Sequence, residues 1–186
     1  MNSDFLYLSN HSSRFFPQWN NRCGEQVTGL IQLIQFVTAY DSKIWCEIGS
    51  NIGESALIIS SFKEVEKLYC IDPLWDERQY NQFLNRTKHL KHKIQLLRLK
   101  SEKAYEKFES NSIDVIYIDG GHTYNDINND LNFAFSVVKN GGFICGHDYG
   151  KAFPDVKKAV DEFKEKYKLT NFTTFCDSSF AIKKDV

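Results

Sequence analysis

A chain of 186 residues with a net charge of −1 is long enough to fold as one domain around a substantial core. It carries no basic block, the electrostatic footprint that a nucleic-acid binder needs, so a nucleic-acid partner is not expected. Five cysteines without a C-x-x-C pair point to reduced thiols, and no secretory leader or membrane-length apolar run stands out, so a cytoplasmic protein with no membrane partner is expected.

Phe5, Tyr7, Phe15, Phe16 and Trp19 crowd the first 24 residues, too many aromatics for an idle tail. That segment is expected to be a lid over the functional site, a docking surface for another subunit, or a strap on the core. Residues 25–186 form the domain proper. Val27, Leu30, Ile31, Ile34 and Val37 recur at helical spacing and predict the first helix. The apolar run "KIWCEIGS" predicts a buried strand ending at Gly49, and "GESALIISSF" the helix after it. "KLYCIDP" is a second strand that ends at Asp72 and is stopped by Pro73. Tyr80, Phe83, Leu84, Thr87 and Leu90 mark the inner face of the next helix. "KIQLLRLKS" predicts a third strand, "EKAYEKF" a short helix and "IDVIYID" a fourth strand. Thr123 can cap the helix that follows, with Asp126 at its positive end and Ile127, Leu131, Ala134 and Val138 facing inward. Gly141 and Gly142 are expected to stop that helix before a fifth strand, "GFICGHDY". Val156, Val160, Phe163 and Tyr167 line a last helix, and "NFTTFCDSSFAIKK" reads as two strands turning at Asp177 and Ser178.

Five strands alternating with helices predict an α/β fold with a mainly parallel sheet covered on both faces. The closing hairpin brings this Rossmann-like, doubly wound sheet to seven strands and adds an antiparallel C-terminal pair. Ligands of such sheets bind outside the carboxyl ends of the strands, near the point where strand order reverses.

Several chemistry-bearing residues fall at those ends. Gly49 closes the first strand and Gly53 opens its helix, a spacing that suits either a nucleotide-like ligand at exposed amides or a plain tight turn. The spacing is not G-x-G-x-x-G, so the pyrophosphate fingerprint is absent. Asp72, about twenty residues further on, can accept both hydroxyls of a ribose. Ser101, closing the third strand, lies within reach of an adenine ring attached there. Asp119 and His122 follow the fourth strand on a turn made mostly of glycine, and His147 and Asp148 follow the fifth.

Together "EIGSNIGES", "IDPLW", "DVIYIDGGHTYNDINNDL" and "GGFICGHDYGKAFPDVKKAVDEF" resemble a class I S-adenosylmethionine-dependent methyltransferase. The kinship is with the small-molecule and sugar O-methyltransferases that carry D-G-x-H-x-Y and H-D-Y, and it spans residues 25–184. The resemblance implies that Glu47, Gly49, Gly53 and Ser55 hold the methionine part of the cofactor, Asp72 its ribose and Ser101 its adenine. It implies a divalent metal, magnesium or manganese, on Asp119, His147 and Asp148, and His122 as the base beside Asp119. An imidazole among the ligands departs from an all-carboxylate magnesium site and leaves a transition ion open. His147 can equally be a hydrogen-bonding partner of Asp119 with no metal between them.

The implied acceptor is a small molecule or saccharide bearing a hydroxyl. The loops are short, so the acceptor is either small or gripped in part by a second chain of a homo-oligomer. Two other classes fit the same fold: a nicotinamide oxidoreductase, disfavoured by the missing third glycine, and a catalytically silent nucleotide-binding module.

Overall fold

The computed structural model describes the backbone of residues 23–185 and the side chains of residues 27–185. The aromatic segment expected to act as a lid lies outside them, apart from the start of the first helix.

Helix α1 (Cys23–Thr38) buries Val27, Leu30, Ile31, Ile34 and Val37 on one face, as their spacing requires. Strand β1 (Ile44–Ile48) and helix α2 (Glu54–Ser61) follow. Next come strand β2 (Lys67–Ile71) and helix α3 (Glu77–Thr87), which a 3-10 turn over Lys88–Leu90 extends. Strand β3 (Ile94–Leu97), the short helix α4 (Ser101–Ala104) and strand β4 (Ile113–Ile118) precede helix α5 (Tyr124–Val137). Strand β5 (Val138–Gly146), helix α6 (Pro154–Tyr167) and the hairpin of β6 (Phe172–Thr174) and β7 (Phe180–Lys183) complete the fold.

The strands form one seven-stranded sheet in the order β3-β2-β1-β4-β5-β7-β6. β1 through β5 pair in parallel, and β7 runs antiparallel to both β5 and β6. Both faces are covered. Trp45, Cys70, Val115 and Phe143 face a core shared with α1 and α2, while Cys46, Ile116 and Ile144 face one shared with α5 and α6. This double covering explains why the strands read as unbroken apolar runs rather than alternating ones. Strand order reverses between β1 and β4, which puts Gly49 and Asp119 on either side of the switch point.

Two local expectations are corrected. Gly141 and Gly142 do not end a helix: α5 has stopped at Val137, and both glycines lie inside β5. The β4–β5 register jumps there, from Ile113 opposite Val138 to Val115 opposite Phe143, so the extra residues form a bulge. Gly141 takes φ +85°, and a Cβ on Gly142 would stand 2.6 Å from the Asp114 carbonyl oxygen. Val138 is accordingly a buried strand residue rather than part of a helical stripe. On α3 and the turn that extends it, Phe83 and Thr87 are buried and Tyr80 and Leu90 pack partly buried against the same core, as expected, but Leu84 is 43% exposed.

Candidate active site

The turn after β1 is built around left-handed backbone. Gly49, Asn51 and Gly53 all have positive φ, at 91°, 42° and 81°. A Cβ on Gly49 would lie 2.1 Å from the Asp119 carbonyl oxygen, so the loops after β1 and β4 touch backbone to backbone and only glycine fits. Gly53 is glycine for a different reason. It is packed under α3, where a Cβ would meet the Phe83 ring at 2.9 Å, and it lines neither of the cavities described below.

Asp72 locks this turn from the next strand. Its Oδ2 accepts from the Asn51 amide at 2.8 Å and its Oδ1 from the Leu74 amide at 2.8 Å. Leu74 itself has φ 42°, held there by Arg98, whose Nε and Nη2 both donate to its carbonyl oxygen.

Glu47 ends up wholly buried beneath the turn, and neither of its carboxylate oxygens has a hydrogen-bond partner among the described residues. Burial pushes its carboxyl up to about 7, the nearby hydroxyls of Ser50 and Ser55 opposing the rise and the charge of Asp119 adding to it. A buried carboxyl at this place suits a cationic or hydrogen-donating partner.

Two cavities open along the carboxyl edge, of about 390 and 470 Å³, and they share Gly49, Asn51, Asp119 and His122. The first is bounded by Ser50, Ser55, Tyr117, His147 and Asp177, the second by Asp72, Pro73, Ser101, Gly120 and Asp130. Of the expected site residues, Asp72, Ser101, Gly49, Ser55, Asp119, His122, His147 and Asp148 therefore meet in one continuous cleft. Glu47 and Gly53 stand behind its wall. Among the described residues the lining is acidic, and its one Lys or Arg is the exposed Lys100 of the second cavity.

At the junction of the cavities His122 Nε2 lies 2.7 Å from Asp148 Oδ2, and the His122 ring packs on Phe153 with centroids 4.7 Å apart. His147 Nδ1 lies 3.0 Å from the other oxygen of Asp148 and 3.9 Å from Asp119. Asp148 holds a left-handed φ of 63°, a conformation an aspartate tolerates and which aims its carboxylate at both imidazoles. Burial works against a charge on His147, but the bond to Asp148 and the charges of Asp119 and Asp177 prevail and raise it to about 9. Burial raises Asp119 to about 6, with His147 and His122 opposing. Asp148 falls below its usual range: burial acts the other way and is outweighed by the bond and charge of His147.

One ligand atom from each of Asp119, His122 and Asp148 lies within 4.8 Å of the others, the spacing of a metal-binding group. Asp119 and Asp148 were expected there. It is His122 that completes the group, while His147 adjoins it as a donor to Asp148.

Asp177 and Asp130 escaped the sequence reading. Asp177, at the turn of the β6–β7 hairpin, looked like a turn-former, yet its buried carboxyl forms part of the cleft wall, 3.9 Å from His147 Nε2. A signal did exist: Gly29 lies in the middle of helix α1, and a Cβ there would lie 2.0 Å from the Asp177 carboxyl carbon. Asp130 sits on the inward face of α5 and could be placed only by the fold.

Residues 46–149, more than half of the chain, match the family model described as Methyltransferase domain, so the chain belongs to that methyltransferase family. Uncharacterized protein R132 of Acanthamoeba polyphaga mimivirus is 30% identical over 133 residues, covering 66% of this chain and 59% of that protein. The chain thus spans 59% of the length of the curated relative it matches. Among solved structures, a candidate O-methyltransferase from Klebsiella pneumoniae superposes with TM-score 0.69 at 14% identity, over 100% of this chain and 91% of that one. The O-methyltransferase from Bacillus cereus, solved with SAH, gives 0.68 at 12% identity, over 99% and 92%. At these identities the likeness concerns the fold. No helix among the described residues is long and apolar enough to cross a membrane.

Proposed function

We propose that this chain is an S-adenosylmethionine-dependent O-methyltransferase acting on a hydroxyl of a small molecule or saccharide. The observation that carries the reading is Asp72. Its carboxylate occupies the first-turn amide of Asn51, where a dinucleotide fold would receive a phosphate, and the walls beyond it are acidic. Such a pocket repels a pyrophosphate and suits a nucleoside whose ribose hydroxyls donate to Asp72. This weighs against a nicotinamide cofactor. Glu47, beneath Ser50 and Ser55, suits the ammonium of a methionine chain running over Gly49. SAH bound to the Bacillus cereus structure is in keeping with that ligand.

The sulfonium is already a good leaving group, so the protein has two tasks. It must hold acceptor oxygen, methyl carbon and sulfur in line, which is worth roughly 7–11 kcal/mol. It must also take the hydroxyl proton, worth about 10²–10⁴-fold. His122, at the wall shared by both cavities, is placed for the second task. With Nε2–H donated to Asp148, the free lone pair is on Nδ1, and the Phe153 ring fixes the plane of the imidazole. The dyad also argues against a silent binding module, since nucleotide binding alone has no use for it.

A second reading is favoured by the clustering of Asp119, His122 and Asp148. Two carboxylates and one imidazole fit a divalent ion, manganese or a transition metal better than magnesium. Such an ion, when bound, lowers the pKa of an acceptor oxygen. Asp119 and Asp148 would then neutralise its charge, and His122 Nε2 would exchange its bond to Asp148 for the metal.

Titration calorimetry with S-adenosylmethionine and with NAD, each with and without manganese, tests the proposal. The sulfonium binds and NAD does not; tight NAD binding without sulfonium binding would refute it. With an acceptor found by screening saccharides for S-adenosylhomocysteine release, His122→Ala lowers turnover at least tenfold and leaves cofactor affinity unchanged.

A further inference from the structure

Asp130 is a buried carboxyl that pairs with no cation among the described residues. It lies on the inward side of α5 and is 3% exposed. The Tyr105 hydroxyl donates to its Oδ1 at 3.1 Å, and the Ser101 hydroxyl adjoins it. The charges of Glu102 and Asp126, both acids, act on it. Burial, the largest influence, and these two neighbours hold its carboxyl up at about 6 against the two hydroxyls. Packing gives no reason for an acid here: α5 seals the core with Ile127, Leu131 and Ala134, and a desolvated carboxyl in their company is unfavourable for folding.

Its remaining oxygen has somewhere to go. Oδ2 stands 3.8 Å from the point where a Gly120 Cβ would be, and Asp130, Ser101, Gly120, Ile71 and Pro73 line the second cavity together. Gly120 keeps the path between that oxygen and the cavity open. If Asp72 holds the ribose as proposed above, the attached base extends between Pro73 and Gly120 toward Ser101 and Asp130.

We infer that Asp130 reads the amino edge of adenine, Oδ2 accepting from the exocyclic 6-amino N–H while the Ser101 hydroxyl turns its one proton from Asp130 to N1. Hypoxanthine differs at those two atoms alone. It presents a carbonyl oxygen at C6 and an N–H at N1, so the carboxylate faces an oxygen and one buried acceptor is left unpaired. A site built to pair a donor rejects the analogue that lacks it far more strongly than a merely apolar pocket would. Asp130 is therefore a specificity-determining residue for the nucleoside part of the cofactor, supplied by a helix remote from the first-turn glycines.

The test is calorimetric binding of S-adenosylhomocysteine and S-inosylhomocysteine to the full chain, with thermal melting as a check on folding. The unmodified protein binds the adenosyl compound at least tenfold more tightly. Asp130→Ala loses at least tenfold in affinity for the adenosyl compound and little for the inosyl one, so the preference collapses. Asp130→Asn, which keeps the shape and offers an amide donor to the C6 carbonyl, narrows the preference from the other side. It carries the comparison should the alanine variant not fold. A folded variant that keeps the original preference overturns the inference, as does an unmodified protein indifferent to the base. Failure of the unmodified protein to bind either compound instead overturns the methyltransferase reading on which the inference rests.

Discussion

Replacing Glu47 by glutamine isolates the most costly charge in the site. Burial, with the charge of Asp119, holds the folded carboxyl up at about 7 against 4.5 for its ordinary value, the Ser50 and Ser55 hydroxyls opposing. Below pH 4.5 both folded and unfolded chains carry the proton, and the stability linked to this group is fully present. Between 4.5 and 7 the unfolded chain ionises while the folded one stays protonated, so stability falls as pH rises. Above 7 the loss levels off. The difference between 4.5 and about 7 amounts to about 3 kcal/mol. Glutamine cannot ionise, so the ligand-free variant should melt higher than the unmodified protein at pH 8 by roughly 5–10 °C, and nearly alike at pH 5. Cofactor reverses the sign. An ammonium placed near Glu47 favours its charged form, so binding at pH 6 releases a proton, seen as a dependence of the calorimetric heat on the ionisation enthalpy of the buffer. Glu47→Gln should abolish that release and weaken binding. Identical melting profiles across pH for the two proteins would refute the reasoning, because Glu47 would then be satisfied by something other than protonation.

Two further perturbations probe the first turn. Gly49→Ala drives a Cβ to within 2.1 Å of the Asp119 carbonyl oxygen in a left-handed conformation, so it should destabilise the fold by upwards of about 3 kcal/mol in chemical denaturation. Asp72→Ala removes the acceptor of the Asn51 and Leu74 amides as well as that of the ribose. It should lower cofactor affinity at least tenfold by calorimetry while costing about 1–3 kcal/mol of stability.

The sequence alone determined the layered architecture, because burial on both faces of a parallel sheet leaves short continuous apolar runs bounded by turn residues, alternating with helical stripes. It also determined which polar residues stand at strand ends, since Gly49, Asp72, Asp119 and His147 each break such a run. Those breaks carry no information about partners across the cleft. Only the tertiary structure decided that His122 and His147 share one carboxylate, Asp148, and that His122 rather than His147 sits with Asp119 and Asp148 at ligand spacing. It alone showed that Gly53 is small for the sake of Phe83, and that the glycines of β5 make a bulge rather than a helix stop. Asp130 and Asp177 became legible as site residues only once α5 and the hairpin turn were packed against the cleft. The physical reason is common to all of these. Periodicity reports which side of an element avoids water, a property of neighbours along the chain. The direction of a polar side chain at the end of a strand is set by contacts between loops far apart in sequence.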